Sequence, residues 1–404
     1  MELAVITGGF LPIPATKGGA VENLVVNLLN ENEKKCQVKF TVFSIYDKKA
    51  VEETNKYKHT KFIFIKTNPL IEVMDRFVFF IAKNILKKKN SHSYRYIIQR
   101  LSYLNSVSKY LKKGNYDKVL LENHPTQYLA LKWRKNYKKY ENRYYYHCHN
   151  ELSGTYGCRD IIKNTQNFIC VSNFIKQSLM KMLNMSKDKF EVLRNCIDID
   201  RFSGTLEQEE LINIRKKYNI KDNDKILLFT GRIVPEKGIR EIIDALKKVK
   251  YKNYKLLILG SALNELKTKT EYQEQIETSI KEIKDKVIFT GYINYGEINK
   301  FYTMADIAIL PSIWDDPAPL TIIESLASGL PIITTNSGGI PEYAVGNSAI
   351  ILNKSNNLVE NLAITIDKLL NDDKKCKEMS LAGKNATLDL TLQNYYKNFL
   401  KCLK

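Results

Sequence analysis

The sequence predicts an α/β protein made of two Rossmann-like halves, and three observations carry that expectation. Residues Ile307 to Glu342, IAILPSIWDDPAPLTIIESLASGLPIITTNSGGIPE, read as strand, loop, helix and second strand. Short apolar, β-branched runs of the same kind recur along the chain, separated by Gly- and Pro-marked turns and amphipathic segments. At 404 residues the chain exceeds one ordinary core, and two domains of about 200 residues each fit the usual size range.

In chain order, Leu3–Thr7 is a buried strand and Gly8-Gly9 opens the loop after it. Gly18-Gly19 precede a helix with apolar positions Val21, Leu24, Val25, Leu28 and Leu29, and Gln37–Tyr46 follows as the second strand. Tyr116–Asn123 is a central strand whose end carries His124. Arg143–His149 is the next, with Asn150 and Glu151 just beyond. Ligands of open α/β sheets gather at the carboxyl ends of strands, so both histidines are site candidates, each with a purely structural role as the alternative. Strand alternation is taken to turn His147 to the other face. Asn167–Val171 leads into a helix over Ser172–Leu183, and Phe190–Asn195 is read as the last strand of the first half. The boundary is placed near residue 200, giving domains 1–200 and 201–387.

The second half opens with Lys225–Thr230, continues through strands at Tyr254–Gly260 and Lys286–Thr290 and a helix at Gly296–Met304, and reaches the central stretch. There Ile307–Leu310 has the length of a buried strand. Pro319 suits a first helical position, and Leu320, Ile323, Leu326 and Ala327 form an apolar stripe. Gly329 ends the helix before the strand Pro331–Thr335. A helix N-terminus offers unpaired N–H groups and partial positive charge, so the amides of Leu320 and Thr321 are placed to take a phosphate. Glu324, one turn along, can accept both hydroxyls of a ribose whose phosphates lie at the helix start. Asp316 supplies a second carboxylate toward whatever the far phosphate carries. Arg232 and Lys237 flank the glycine-punctuated loop GRIVPEKG, a spacing that lets two cations grip one diphosphate. For Glu324 alone the bland alternative is an exposed helix charge, and for the two cations solvated loop charges. Together they describe a nucleotide-sugar site.

On these residues the sequence resembles the family 4 glycosyltransferases. The carriers are Asp316-x7-Glu324 followed by SLASGLPIITTNSGGIPE, GRIVPEKG at Gly231–Gly238, VLRNCIDIDRF at Val192–Phe202, and FLPIPATKGGAVENLV near the start. Asp316 stands where the family usually has Glu, and Cys196 where it often has Gly. The resemblance implies the GT-B fold: two Rossmann-like domains facing each other across a cleft, with the helix at 388–404 crossing back to the first domain. It implies retaining transfer from a nucleotide-sugar, UDP-linked before GDP-linked, to a saccharide or lipid-linked acceptor. It also makes His149 the contact to the donor sugar, Gly18 and Gly19 part of the donor loop, Arg232 and Lys237 the pyrophosphate clamp, and Tyr292 the packing surface for the base. No cofactor and no metal are expected, since Asp315-Asp316 are adjacent rather than spaced as Asp-x-Asp.

The remaining features bound the setting. Seven cysteines without CxxC spacing read as reduced thiols of a cytoplasmic protein. MELAVITGG reads as a strand rather than a signal peptide, and no apolar run approaches the roughly 18 residues of a membrane span. The net charge of +19 favours phosphate-bearing partners. Its lysines are scattered and no nucleic-acid module is present, so nucleic acid is not expected as a partner. Leu70–Lys89 projects as a helix with Glu72, Arg76, Lys83 and Lys87 on one strip and apolar residues around the rest. It reads either as a helix buried in the first domain or as a face docking on an anionic bilayer. A nucleotide-sugar epimerase or hydrolase of the same architecture is the rival enzyme class, and a basic nucleic-acid-binding protein the rival outside enzymes.

Overall fold

A computed structural model describes residues 1–86, 94–205, 207–260 and 271–403. The chain divides into two compact units: Met1–Arg194 with Tyr395–Lys404, and Asn195–Asn394. The division thus lies ahead of residue 200, and a helix at Ile199–Ser203 belongs to the second unit.

The first unit is a sheet of seven parallel strands: β1 (Glu2–Ile6), β2 (Lys39–Ile45), β3 (Thr60–Ile65), β4 (Lys118–Glu122), β5 (Tyr144–Cys148), β6 (Asn167–Cys170) and β7 (Phe190–Val192), in the order β3-β2-β1-β4-β5-β6-β7. Leu3, Ala4, Val5 and Ile6 are all buried, as befits a central parallel strand covered on both faces. Strand order reverses between β1 and β4, and in open α/β sheets such a switch point opens a crevice at the carboxyl ends. The last helix, Leu392–Cys402, begins later than expected and packs its C-terminal part on this unit. There the Tyr396 hydroxyl donates to Asn32 Oδ1 at 2.7 Å and Asn167 Nδ2 to the Cys402 carbonyl at 3.0 Å.

The second unit repeats the design with six parallel strands: β8 (Lys225–Thr230), β9 (Tyr254–Leu259), β10 (Val287–Gly291), β11 (Ile307–Leu310), β12 (Ile332–Thr335) and β13 (Ala349–Leu352), in the order β10-β9-β8-β11-β12-β13. Its switch point lies between β8 and β11. Helices at Ile239–Leu246, Leu320–Ala327 and Leu358–Leu370 bury apolar faces against the sheet.

The stretch after residue 69 departs from the buried-helix reading. Asn68 caps and Pro69 starts a helix over Pro69–Phe80, which continues as a π turn through Ile85. Most of its large apolar side chains face out: Leu70 is 70% and Phe77 63% exposed, and Val73, Met74, Phe80, Ile85 and Leu86 are exposed as well. The buried side holds Asp75 and Ala82. Asp75 turns inward because the next helix, Ile97–Lys113, begins without a capping side chain of its own. Its carboxylate accepts the Ile98 and Gln99 N–H groups at 2.9 Å each. Lys87, Lys88 and Lys89 lie outside the described residues.

Candidate functional site

In the second unit two loops meet at the β8/β11 switch point, and glycines let them close. A Cβ on Gly238, at φ +73°, would stand 2.0 Å from the Pro311 carbonyl oxygen; one on Gly338, at φ +55°, would stand 2.4 Å from that of Asp316. The Pro235–Lys237 turn is fixed by its Glu236 carbonyl, which accepts from Ile313 N at 3.0 Å and Ser312 Oγ at 3.2 Å. This aims Lys237 into a pocket of about 260 Å³ whose polar lining is Thr230, Lys237, Ser312, Asp316 and Thr321. Lys237 Nζ donates to the Asp316 carboxylate inside it.

Helix Leu320–Ala327 starts at this pocket. Pro319 is its N-cap rather than its first helical residue, with extended backbone and no side chain able to cap the amides that follow. Glu324, one turn in, is 3% exposed, which removes the reading of a solvated charge. Its Oε1 accepts from the Tyr295 hydroxyl at 3.1 Å and its Oε2 from the Tyr302 hydroxyl at 2.7 Å; Tyr302 is in turn 2.8 Å from Thr230 Oγ1. Burial raises the Glu324 pKa against the pull of the two tyrosines and of Arg201. A carboxylate has about four acceptor directions, so two hydrogen bonds leave capacity for ribose hydroxyls. Asp315 faces away, held below the usual carboxylate range chiefly by Lys354, and it also accepts the Gly338 N–H. Arg232, on the same turn as Lys237, is exposed, and Tyr292 is 47% exposed. The structure therefore gathers Lys237, Asp316, Thr321 and Glu324 at one helix start and leaves Arg232 and Tyr292 outward.

In the first unit β4 and β5 end in a buried acid–imidazole cluster. Glu122 Oε1 lies 3.2 Å from His147 Nδ1, and its Oε2 lies 3.2 Å from His149 Nε2. The expectation that His147 turns to the other face is corrected: residues two apart on a strand share a face, and these two rings are 4.0 Å apart between centroids. Burial would raise the Glu122 pKa, yet the charge and hydrogen bonds of the two imidazoles hold it at about 2. His149 is pushed down to about 4 by burial and by His147. Gly18 and Gly19 precede helix Ala20–Lys35 with φ of +72° and +110°, and a Cβ on Gly19 would meet Glu22 Oε2. Glu22 is buried and within electrostatic reach of Glu122, so its pKa rises to about 7, first through burial. The ligand atoms of Glu122, His147 and His149 lie within 4.8 Å of one another, the one such group among the described residues, and could hold a divalent ion.

Sequence reasoning missed Glu122, Tyr295 and Tyr302. Glu122 was legible as a lone acid in the apolar run KVLLEN, where burial demands a partner. The tyrosines carried no comparable signal.

Two open parallel sheets, each with its strand order reversing at a switch point, are the architecture of the GT-B class of two-domain transferases. The chain belongs to the family 4, group 1 glycosyltransferases: residues 35–201 match the model "Glycosyltransferase Family 4" and residues 212–386 the model "Glycosyl transferases group 1". The putative glycosyltransferase YtcC of Bacillus subtilis is 23% identical over 387 residues, 94% of this chain and 86% of its own. An uncharacterized glycosyltransferase of Methanocaldococcus jannaschii is 32% identical over 175 residues, so the match spans 43% of either chain. Among solved structures, Anabaena HepE in complex with UDP-glucose superposes with a TM-score of 0.72 at 14% identity, covering 100% of this chain and 99% of that one.

Proposed function

We propose that this glycosyltransferase moves a sugar from a UDP-linked donor to a saccharide or lipid-linked acceptor, with retention and without a metal. The observation that carries the reading is one pocket. Lys237, Asp316 and Thr321 line it, and Glu324 lies one helical turn inward. The β-phosphate takes Lys237 from Asp316, and the amides of Leu320 and Thr321 face the other phosphate oxygens. These positive ends meet the charge that grows on the leaving oxygen. Glu324 holds the ribose, already oriented by Tyr295 and Tyr302. Arg232 adds a second cation and Tyr292 flanks the base, both from exposed positions. Asp316, once released, orients the sugar; in the first unit, Glu122 fixes the ring of His149, the imidazole assigned to the donor sugar. Gly18 and Gly19 give the backbone approach that the donor diphosphate needs. UDP is favoured over GDP by the UDP-glucose complex of the Anabaena neighbour.

The acceptor side meets an anionic membrane through the exposed apolar face of Pro69–Phe80 and the lysines that follow it in sequence. Among the described residues no helix is long and apolar enough to cross a membrane. Thermal-shift measurement against a panel of nucleotide-sugars tests the donor assignment. Stabilisation by UDP-sugars is expected, and stabilisation by GDP-sugars alone would overturn it. A nucleotide-sugar epimerase or hydrolase would instead turn over donor with no acceptor present.

A further inference from the structure

Arg100 stands in the first turn of helix Ile97–Lys113 at the other switch point, between β1 and β4. Its neighbour Gln99 donates to the Gly9 carbonyl at 3.0 Å, which ties the turn to the loop after β1. Its own guanidinium Nη1 lies 3.0 Å from His124 Nε2, just past the end of β4. A guanidinium only donates, so His124 Nε2 faces it as the acceptor, while Nδ1 lies 2.8 Å from Thr126 Oγ1 and 3.2 Å from the Thr126 backbone N. His124 is thus neutral, its pKa pushed down to about 4 by burial and by Arg100 itself.

Among the described residues the charge on Arg100 has no counter-charge. No carboxylate of the described residues pairs with it, and its Nε is buried without a hydrogen-bond partner. Its other close neighbour is the ring of Phe10, 5.4 Å from Cζ to centroid. A half-buried cation without an anion is costly, and cations of this kind are ordinarily paired. Of the buried acids of the same unit, Asp75 accepts the Ile98 and Gln99 N–H groups, Glu31 pairs with Lys34, and Glu122 faces His147 and His149. The planar fork of a guanidinium matches phosphate oxygens two at a time. Phe10 and Tyr156, the latter with its ring 5.9 Å from that of His124, stand exposed at the rim. The exposed apolar helix Pro69–Phe80 adjoins the same turn through Asp75.

We infer that Arg100, backed by His124, binds a phosphate group of the acceptor, so that the acceptor is a phosphorylated saccharide or one carried on a lipid phosphate. The word acceptor rests on the transfer reading above; the anion site itself does not.

The test is calorimetric titration of inorganic pyrophosphate into the whole protein with saturating UDP occupying the donor pocket. Wild type is compared with Arg100→Gln and with Arg100→Lys, which keeps the charge without the fork. Pyrophosphate affinity is expected to fall about tenfold to a hundredfold in Arg100→Gln and by a smaller factor in Arg100→Lys, with UDP affinity unchanged in both. Sedimentation with phosphatidylcholine vesicles containing polyprenyl phosphate or phosphatidylglycerol separates the sources. Arg100-dependent preference for polyprenyl phosphate marks a lipid-borne group, and Arg100-dependent pyrophosphate binding without that preference marks a soluble one. Equal affinities in wild type and both variants on every probe would overturn the inference. Failure of UDP to bind wild type would sink the donor reading instead and leave the pyrophosphate comparison intact.

Discussion

The Tyr302 hydroxyl donates to Glu324 Oε2 at 2.7 Å, and both groups are buried. That bond sets the direction in which the remaining lone pairs of Glu324 point, before any nucleotide arrives. Tyr302→Phe removes one hydroxyl and leaves the ring, so the fold should survive. Nucleoside diphosphate affinity is expected to drop by about fivefold to twentyfold, the worth of one oriented hydrogen bond. Titration of UDP into the variant measures this, and unchanged affinity would show that Tyr302 does not orient the ribose partner.

Lys237 and Asp316 occupy each other in the pocket. If the diphosphate competes with Asp316 for Lys237, Asp316→Asn should bind UDP more tightly, by a few-fold, because a lysine is freed and a like charge removed. The same variant should transfer sugar at least about tenfold more slowly if the carboxylate orients the sugar. Weaker UDP binding together with full turnover would refute the competition.

Two buried acids respond to pH in opposite senses. Glu22 has a folded pKa of about 7, raised from 4.5, so its contribution to stability is complete below 4.5 and is lost as pH climbs toward 7. Glu22→Gln should therefore raise the melting temperature more at pH 8 than at pH 5, by an energy on the order of 1–3 kcal/mol. Glu122, depressed to about 2, and His149, depressed to about 4, both make the protein lose stability on acidification. The window runs from about 6.5 to about 4 for His149 and from about 4.5 to about 2 for Glu122. Melting curves across pH 3 to 8 check both signs. A Glu22→Gln effect independent of pH would contradict the first.

Phe77 and Phe80 face outward, so replacing both by Asp should change unfolding free energy by no more than about 0.5 kcal/mol. Binding to phosphatidylglycerol vesicles should fall at least about tenfold. Flotation assays read the binding and chemical denaturation the stability. A large stability loss would mean that the face is covered by the protein itself.

How much of this was legible in the sequence follows from where the signals are local. The strands of both sheets and the strand, loop and helix around Asp316 and Glu324 depend on neighbouring residues, and composition and turn chemistry reveal them. β3 and β13, edge strands that are only partly buried, went unread because nothing in TKFIFI or AIIL distinguishes a sheet edge from a loop. Tyr302 reaches Glu324 across 22 positions and Arg100 reaches His124 across 24, separations that only the folded sheet closes. The Pro69–Phe80 helix misled for a related reason. Its periodicity fixes which residues share a face, and which face turns inward was decided by the uncapped amides of Ile98 and Gln99.

The central claim is a diphosphate held at the β8/β11 switch point by Lys237. Calorimetric titration of UDP and of uridine into wild type and Lys237→Ala tests it most directly. The account predicts that UDP binds wild type far more tightly than uridine does. In the variant, UDP should lose about tenfold to a hundredfold in affinity while uridine loses little. Equal UDP affinity in the two proteins would place the phosphates elsewhere and contradict the account.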